Sequence, residues 1–286
     1  MDMNRILPPY LLSGPAIIIF IIMLAVPMFM TFLLSFKSFS FYTGITAEYG
    51  WHNYLEVISD SYFHEIFFRT YAISIGVTFV CALIGAPEAY ILSRMTKAWR
   101  SMCLLAILGP LLISVIVRTL GWALLIGNNG VINDALLLLG VIDEPLKMMY
   151  TTEAIVVALV HVLVPFMVLS VWATLQKLDP QVENASMSLG ASHFTTIRRI
   201  VLPQVMPGVL AGSLIVFALT ASAFATPSIL GGRRLKVVAT TAYDEYLNTL
   251  NWPLGASIAC ILLVANVIVV MSYNKYVERK YAAVFD

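Results

Sequence analysis

Charge is nearly absent from six long stretches of this chain, and that constrains the fold more than any other feature. Residues 6–36, 70–87, 101–117, 154–176, 200–232 and 246–274 contain no Asp, Glu, Lys or Arg. A helix that crosses a bilayer needs about 20 predominantly apolar residues. These runs therefore predict six spanning helices, at roughly 10–36, 70–93, 101–126, 153–175, 207–230 and 253–274. A closed barrel is the other way to satisfy every backbone group in hydrocarbon. Its strands would alternate apolar and polar residues, and Ile155-Val156-Val157-Ala158-Leu159-Val160 does not alternate. The expectation is an all-α integral membrane protein with a single transmembrane domain over 1–286.

Composition closes off other classes. Of the 286 residues, 60% are hydrophobic and 12% charged, against about 25% charged in soluble domains. The net charge of +1 carries no nucleic-acid signal. Cys81, Cys103 and Cys260 lie in apolar runs, which argues against a disulfide framework or metal cluster. The first span has one early cation, Arg5, and an apolar core too long for a signal peptide. Lys and Arg in the loops set orientation. With the N-terminus inside, ten face the cytoplasm and six the outside, and the loop Arg94-Met95-Thr96-Lys97-Ala98-Trp99-Arg100 is the clearest vote. Both termini are expected in the cytoplasm. The loops 37–69, 127–152 and 231–252 then lie outside, long enough for short helices or a re-entrant turn.

The second inner loop, 177–207, differs from its surroundings. Asp179 before Pro180 reads as an N-cap with proline at the first helical position. Val182, Ala185 and Leu189 share a face at helical spacing. Gly190 suits a left-handed C-terminal cap. Ser192 can cap a second short helix carrying Phe194, Ile197 and Ile200, which Pro203 and Pro207 are expected to interrupt before helix 5. The result is a two-helix elbow with apolar residues, read either as an interfacial hairpin or as a docking surface.

Gly190, nine residues, then Ile200-Val201-Leu202-Pro203 matches the second half of the inner-loop motif of importer permeases of the ATP-binding-cassette superfamily. The first half departs, because Asn184-Ala185-Ser186 stands where that family has Glu-Ala-Ala and Glu183 sits one position early. Further stretches are similar to spermidine/putrescine-type permeases, within them the B-type subunit: Val117-Arg118-Thr119-Leu120-Gly121-Trp122, Gly127-Asn128-Asn129-Gly130, Leu139-Gly140, Tyr150-Thr151 and Asn251-Trp252-Pro253-Leu254-Gly255-Ala256. The resemblance implies a type I importer with a second homologous permease, an ATPase dimer and a periplasmic binding protein, in the bacterial inner membrane. It implies ATPase coupling at Asp179, Glu183, Asn184, Ala185, Gly190, Ala191, Phe194, Ile200, Leu202 and Pro203. ATP and Mg would be used by the ATPase, with no cofactor on this chain. The residues agree, since the chain has no Gly-x4-Gly-Lys-Ser/Thr phosphate loop.

An intramembrane charge costs about 2.5–3.5 kcal/mol and usually faces protein or water. Arg118 either lines the pathway or is a snorkelling or subunit-contact arginine, and Glu88 is expected in a structural contact. A polyamine pathway should offer carboxylates and aromatic faces. Trp122, Tyr243 and Asp244 are the substrate-path candidates beside Arg118. The cargo stays open among polyamines, iron(III), phosphonates, opines and amino-acid-like solutes. A stand-alone secondary transporter or channel is the alternative class. No catalytic grouping of Ser, Cys, His or acids is present to suggest a membrane enzyme.

Overall fold

Prolines and glycine turns decide how the apolar runs are divided. The computed structural model describes residues 7–285. Among them, six helical stretches are long and apolar enough to cross a membrane: Ser13–Ser35, Ser61–Arg94, Val115–Leu138, Thr152–Leu175, His193–Ala221 and Trp252–Lys275. In chain order the helices are α1 (Leu7–Ser35), α2 (His52–Ser59), α3 (Ser61–Arg94), α4 (Lys97–Leu108), α5 (Val115–Ile126), α6 (Val131–Leu138), α7 (Thr152–Leu175), α8 (Pro180–Ser188), α9 (His193–Thr196), α10 (Leu202–Ala221), α11 (Val238–Leu247) and α12 (Trp252–Phe285). By its internal contacts the chain divides into two compact units. One holds the described residues up to His64 with Thr241–Val264; the other holds Glu65–Thr240 and the residues from Ala265 on.

In the first unit the loop after α1 is a β-hairpin, β1 (Lys37–Ser40) against β2 (Gly44–Tyr49), antiparallel with Phe39 opposite Ile45. The sequence reading expected only short helices or a re-entrant turn here. Gly44, at φ +73°, makes the turn. The fully buried Asn53 of α2 fastens it, its Nδ2 donating to the Ser35 and Lys37 carbonyls at 2.8 and 2.9 Å. Later in this unit, Asn251 accepts from the Leu254 backbone at 3.2 Å and starts α12.

In the second unit α7 is the central helix. It is apolar on all sides, and 56% of its most apolar window is buried. Ile155, Met167, Val168 and Val171 of α7 meet Val77, Cys81 and Leu92 of α3 and Val205 and Val216 of α10. Close approach of α10 rests on two glycines. A Cβ on Gly208 would clash with Thr174 Oγ1, and one on Gly212 would lie 2.8 Å from Met167 Sδ. Ser170 Oγ donates to the Gly208 carbonyl at 2.9 Å, so this is a small-residue helix interface with a polar tie.

Three spans depart from the sequence expectation, the second only in starting at Ser61 and not near 70. The third is not one helix over 101–126. It breaks after α4 into a 3-10 turn, Gly109–Leu112, and an extended Ile113 before α5. Pro110 has no N–H to give the helix ladder, and Gly109 holds it weakly. The fifth does not begin at 207 or run to 230. α9 passes through a π turn, Ile197–Val201, into α10, which ends at Ala221. In the π turn the Leu202 N–H reaches back five residues to Ile197. That wider ladder makes room just before Pro203, whose ring would press on the carbonyl four residues back. A second π turn, Pro227–Gly231, follows the end of α10.

Candidate functional site

The 177–203 elbow is built by local chemistry at each corner. Asp179 Oδ1 accepts the Gln181 N–H at 2.9 Å and caps α8. At the other end Gly190 takes φ +87°. Its N–H donates to the Met187 carbonyl at 3.0 Å, and the Ala191 N–H donates to the Ser186 carbonyl at 3.2 Å. This 5→2 and 6→1 pair is a Schellman cap. Ser192 then caps α9, accepting from the Thr195 N–H at 3.3 Å. Ser186 and Thr196 hydroxyls, 3.0 Å apart, tie the two helices together.

Tertiary contacts fix the elbow to the helices behind it. Glu183 is buried and pairs with Arg94 at the end of α3, and Tyr90 Oη donates to its second oxygen at 3.3 Å. The Arg94 guanidinium also lies 5.2 Å from the Tyr90 ring centroid. Glu183 thus faces inward, anchoring α8. The elbow's outer surface is apolar: Leu189 is 90% exposed and Phe194 72%, with Val182, Met187 and Leu202 also outward. Asn184, Ala185, Gly190 and Pro203 are exposed, whereas Ala191 and Ile200 are half-buried. The sequence reading treated Arg94 and Arg100 only as orientation votes. Arg100 in fact donates to the Leu92, Ser93 and Met95 carbonyls at 3.1, 3.3 and 2.8 Å, closing the C-terminus of α3. A cation near a helix C-terminus was the available signal.

The four substrate-path candidates fall in different units and are described separately. In the second unit Arg118 is 9% exposed, and its Nη1 donates to the Pro110 carbonyl at the break in span three, which also accepts the Ile113 N–H at 3.2 Å. A guanidinium at the C-terminal end of a half-helix is also favoured by the helix dipole. Its Nε is buried without a hydrogen-bond partner. Glu88 is half-buried and makes no hydrogen bond or ion pair among the described residues, so it does not pair with Arg118. One turn beyond Arg118, Trp122 Nε1 donates to His161 Nδ1 at 3.2 Å, the rings edge-to-face at 5.7 Å. Thr119 of span three and Thr226 beyond α10 join hydroxyls at 3.2 Å. In the first unit Tyr243 is exposed, and Asp244 Oδ1 accepts from Asn248 Nδ2 at 2.8 Å near the end of α11. Nearby, burial raises the Tyr246 phenol above its ordinary range, with a smaller push from Cys260.

Comparisons with known proteins agree with this architecture. The profile of the family described as "Binding-protein-dependent transport system inner membrane component" matches residues 72–282. The spermidine/putrescine transport system permease protein PotB of Escherichia coli K12 is 30% identical over 233 residues, spanning 79% of this chain and 84% of the relative. PotB of Haemophilus influenzae is 29% identical over 231 residues, spanning 80% of each. Among solved structures, a chain of a bacterial ABC transporter involved in the import of the acidic polysaccharide alginate superposes with a TM-score of 0.78 at 17% identity. That likeness covers 97% of both chains. The chain belongs to the family of binding-protein-dependent transport system inner-membrane components, and is a multi-pass, non-catalytic permease subunit of an ABC importer.

Proposed function

We propose that this chain is one of two homologous permeases in an ATP-driven importer of polyamines, the cargo class named for its PotB relatives. In this reading the elbow and both termini face the cytoplasm, and the opposite loops face a periplasmic binding protein. The observation that carries the coupling role is the pair Leu189 and Phe194, held outward on an elbow whose one buried acid is paired behind it. Exposed apolar side chains on a scaffold this well capped gain most by entering a groove. Here that groove belongs to an ATP-binding-cassette ATPase. ATP and Mg are bound there, and this chain holds no cofactor.

The helix geometry suggests how motion passes inward. α9 runs without a break through the π turn into α10, and α10 is locked on α7 by Gly208, Gly212 and Ser170. A push on the elbow from ATPase closure would therefore move α10 and α7 as one body. That is the rigid-body rocking expected of alternating access. In the second unit Trp122 would offer a ring face to ammonium groups, and in the first unit Tyr243 would offer a ring face and Asp244 a carboxylate. Arg118 would mark a point of repulsion at the break in span three.

Tagging the chain in its native membrane and identifying what co-purifies tests the assembly. The expected result is an ATPase subunit and a second, distinct permease, with uptake of labelled putrescine or spermidine by the reconstituted complex. Recovery of the chain alone, active alone in vesicles, would replace this reading with a secondary transporter or channel. Uptake of a different solute class by the intact complex would correct the cargo only.

A further inference from the structure

At the end of α7 opposite the elbow, three loop segments wall a concavity of about 850 Å³. Gly127 and Asn128 form one wall, Lys147 to Thr151 the second, and Gly232 to Arg234 the third. Lys147, Arg233 and Arg234 are exposed and bring three cations to it, and no carboxylate lines it. Glu153 belongs to an adjoining, smaller cavity that Lys147 shares.

The walls are held from behind. Asn133, fully buried, donates through Nδ2 to the Gly127 and Leu146 carbonyls at 2.9 and 3.0 Å, and accepts from the Leu146 N–H at 2.8 Å. One amide thus joins the first wall to the second. The Tyr150 N–H donates to the Leu230 carbonyl at 2.9 Å, joining the second to the segment that carries the arginines. Gly232, at φ +58°, lies against the Tyr150 ring so closely that a Cβ there would meet Cε1 at 2.8 Å. A charged rim on so firmly tied a frame is preorganised for a partner, which lowers the cost of ordering on binding.

We propose that this concavity is a socket for acidic side chains on the surface of the periplasmic binding protein. The inference rests on the proposed importer reading, which places this end outward. Three cations with no carboxylate among the lining residues would repel a polyamine, so the socket is not part of that cargo's route. Planar guanidinium groups match carboxylates in a two-bonded fork, and Arg233 and Arg234 stand side by side. The volume far exceeds one carboxylate and suits two or three projecting from one surface. Like-signed charge over this area also steers an acidic partner from a distance, which suits a protein that must arrive and leave in each cycle.

The test uses the intact transporter in nanodiscs, with the binding protein whose loaded form stimulates its ATPase. R233E/R234E and K147E are compared with wild type at low and high salt. The expected result is a rise of about tenfold to a hundredfold in the binding-protein concentration giving half-maximal stimulation. The gap should narrow at high salt, basal ATPase should not change, and R233K/R234K, which keeps the charge but not the fork, should fall between wild type and the reversals. An unchanged half-maximal concentration in the charge reversals would overturn the socket. So would an effect that follows the anionic-lipid content of the nanodisc and not the binding protein. If no binding protein stimulates the wild-type complex, the importer reading fails and the socket with it.

Discussion

The two ends of α7 carry surfaces of opposite character. The helix is 24 residues long, or roughly 36 Å at 1.5 Å per residue. Beyond its C-terminus the elbow projects Leu189 and Phe194, apolar and convex. Beside its N-terminus Lys147, Arg233 and Arg234 rim a concavity. An apolar projection gains about 25 cal/mol for each Å² it buries and nothing until contact. A cationic rim acts over about a Debye length, roughly 8 Å at physiological salt, and weakens as salt rises. The first suits a partner that stays engaged and transmits force. The second suits one that comes and goes. One helix joins two kinds of recognition that respond differently to the same change in conditions.

The strongest way to break this contrast is to put charge on the apolar end. L189E/F194E should lower transport by about a hundredfold or more and release the ATPase, while folding stability moves by no more than about 0.5 kcal/mol, because both side chains are already in the open. Normal uptake with the ATPase retained would remove the docking role. Gly190→Val should come next. The space around Gly190 is open, so the cost is conformational, about 1–2 kcal/mol for a side chain at φ +87°. Transport and ATPase recovery should fall about tenfold, and Gly190→Asn, which tolerates this backbone, should keep most of both. Equal loss in the two variants would show that the left-handed cap is not what matters.

Glu183→Ala asks whether the elbow must be anchored. It removes the partner of a half-exposed Arg94, so the destabilisation should be roughly 1–3 kcal/mol, below that of a fully buried pair. Thermal unfolding should register it, with transport reduced and not abolished. The smallest effect sharpens the comparison directly. Raising salt on the wild-type complex should change ATPase association by less than about twofold, since that contact is apolar, while binding-protein stimulation weakens severalfold. Equal salt sensitivity at both ends would erase the distinction.

Much of the elbow was legible because caps are local. Asp179 before Pro180, Gly190 and Ser192 each act on backbone groups two to five residues away, and the structure places all three as their chemistry predicts. The inward turn of Glu183 was not legible, because its partner Arg94 lies 89 residues earlier. Prolines misled in both directions. Pro203 and Pro207 were expected to stop a helix that a π turn carries through, whereas Pro110, inside an apolar run, helps to break one. The hairpin Lys37–Tyr49 escaped notice because its strands are short and depend on Asn53 for their anchor.

What the sequence by itself determined is the number of spans and the elbow's corners. Hydrophobic length and capping are properties of a segment alone. α1 and α7 show what it could not determine. Both are long and apolar, yet none of α1's apolar window is buried within this chain and 56% of α7's is. Likewise, only the tertiary structure joined Thr119 to Thr226 across 107 residues, or set Lys147 near Arg233 and Arg234. Hydropathy records that a surface must leave water. Which surface it meets depends on close approach between distant segments, and that is a property of the packed molecule.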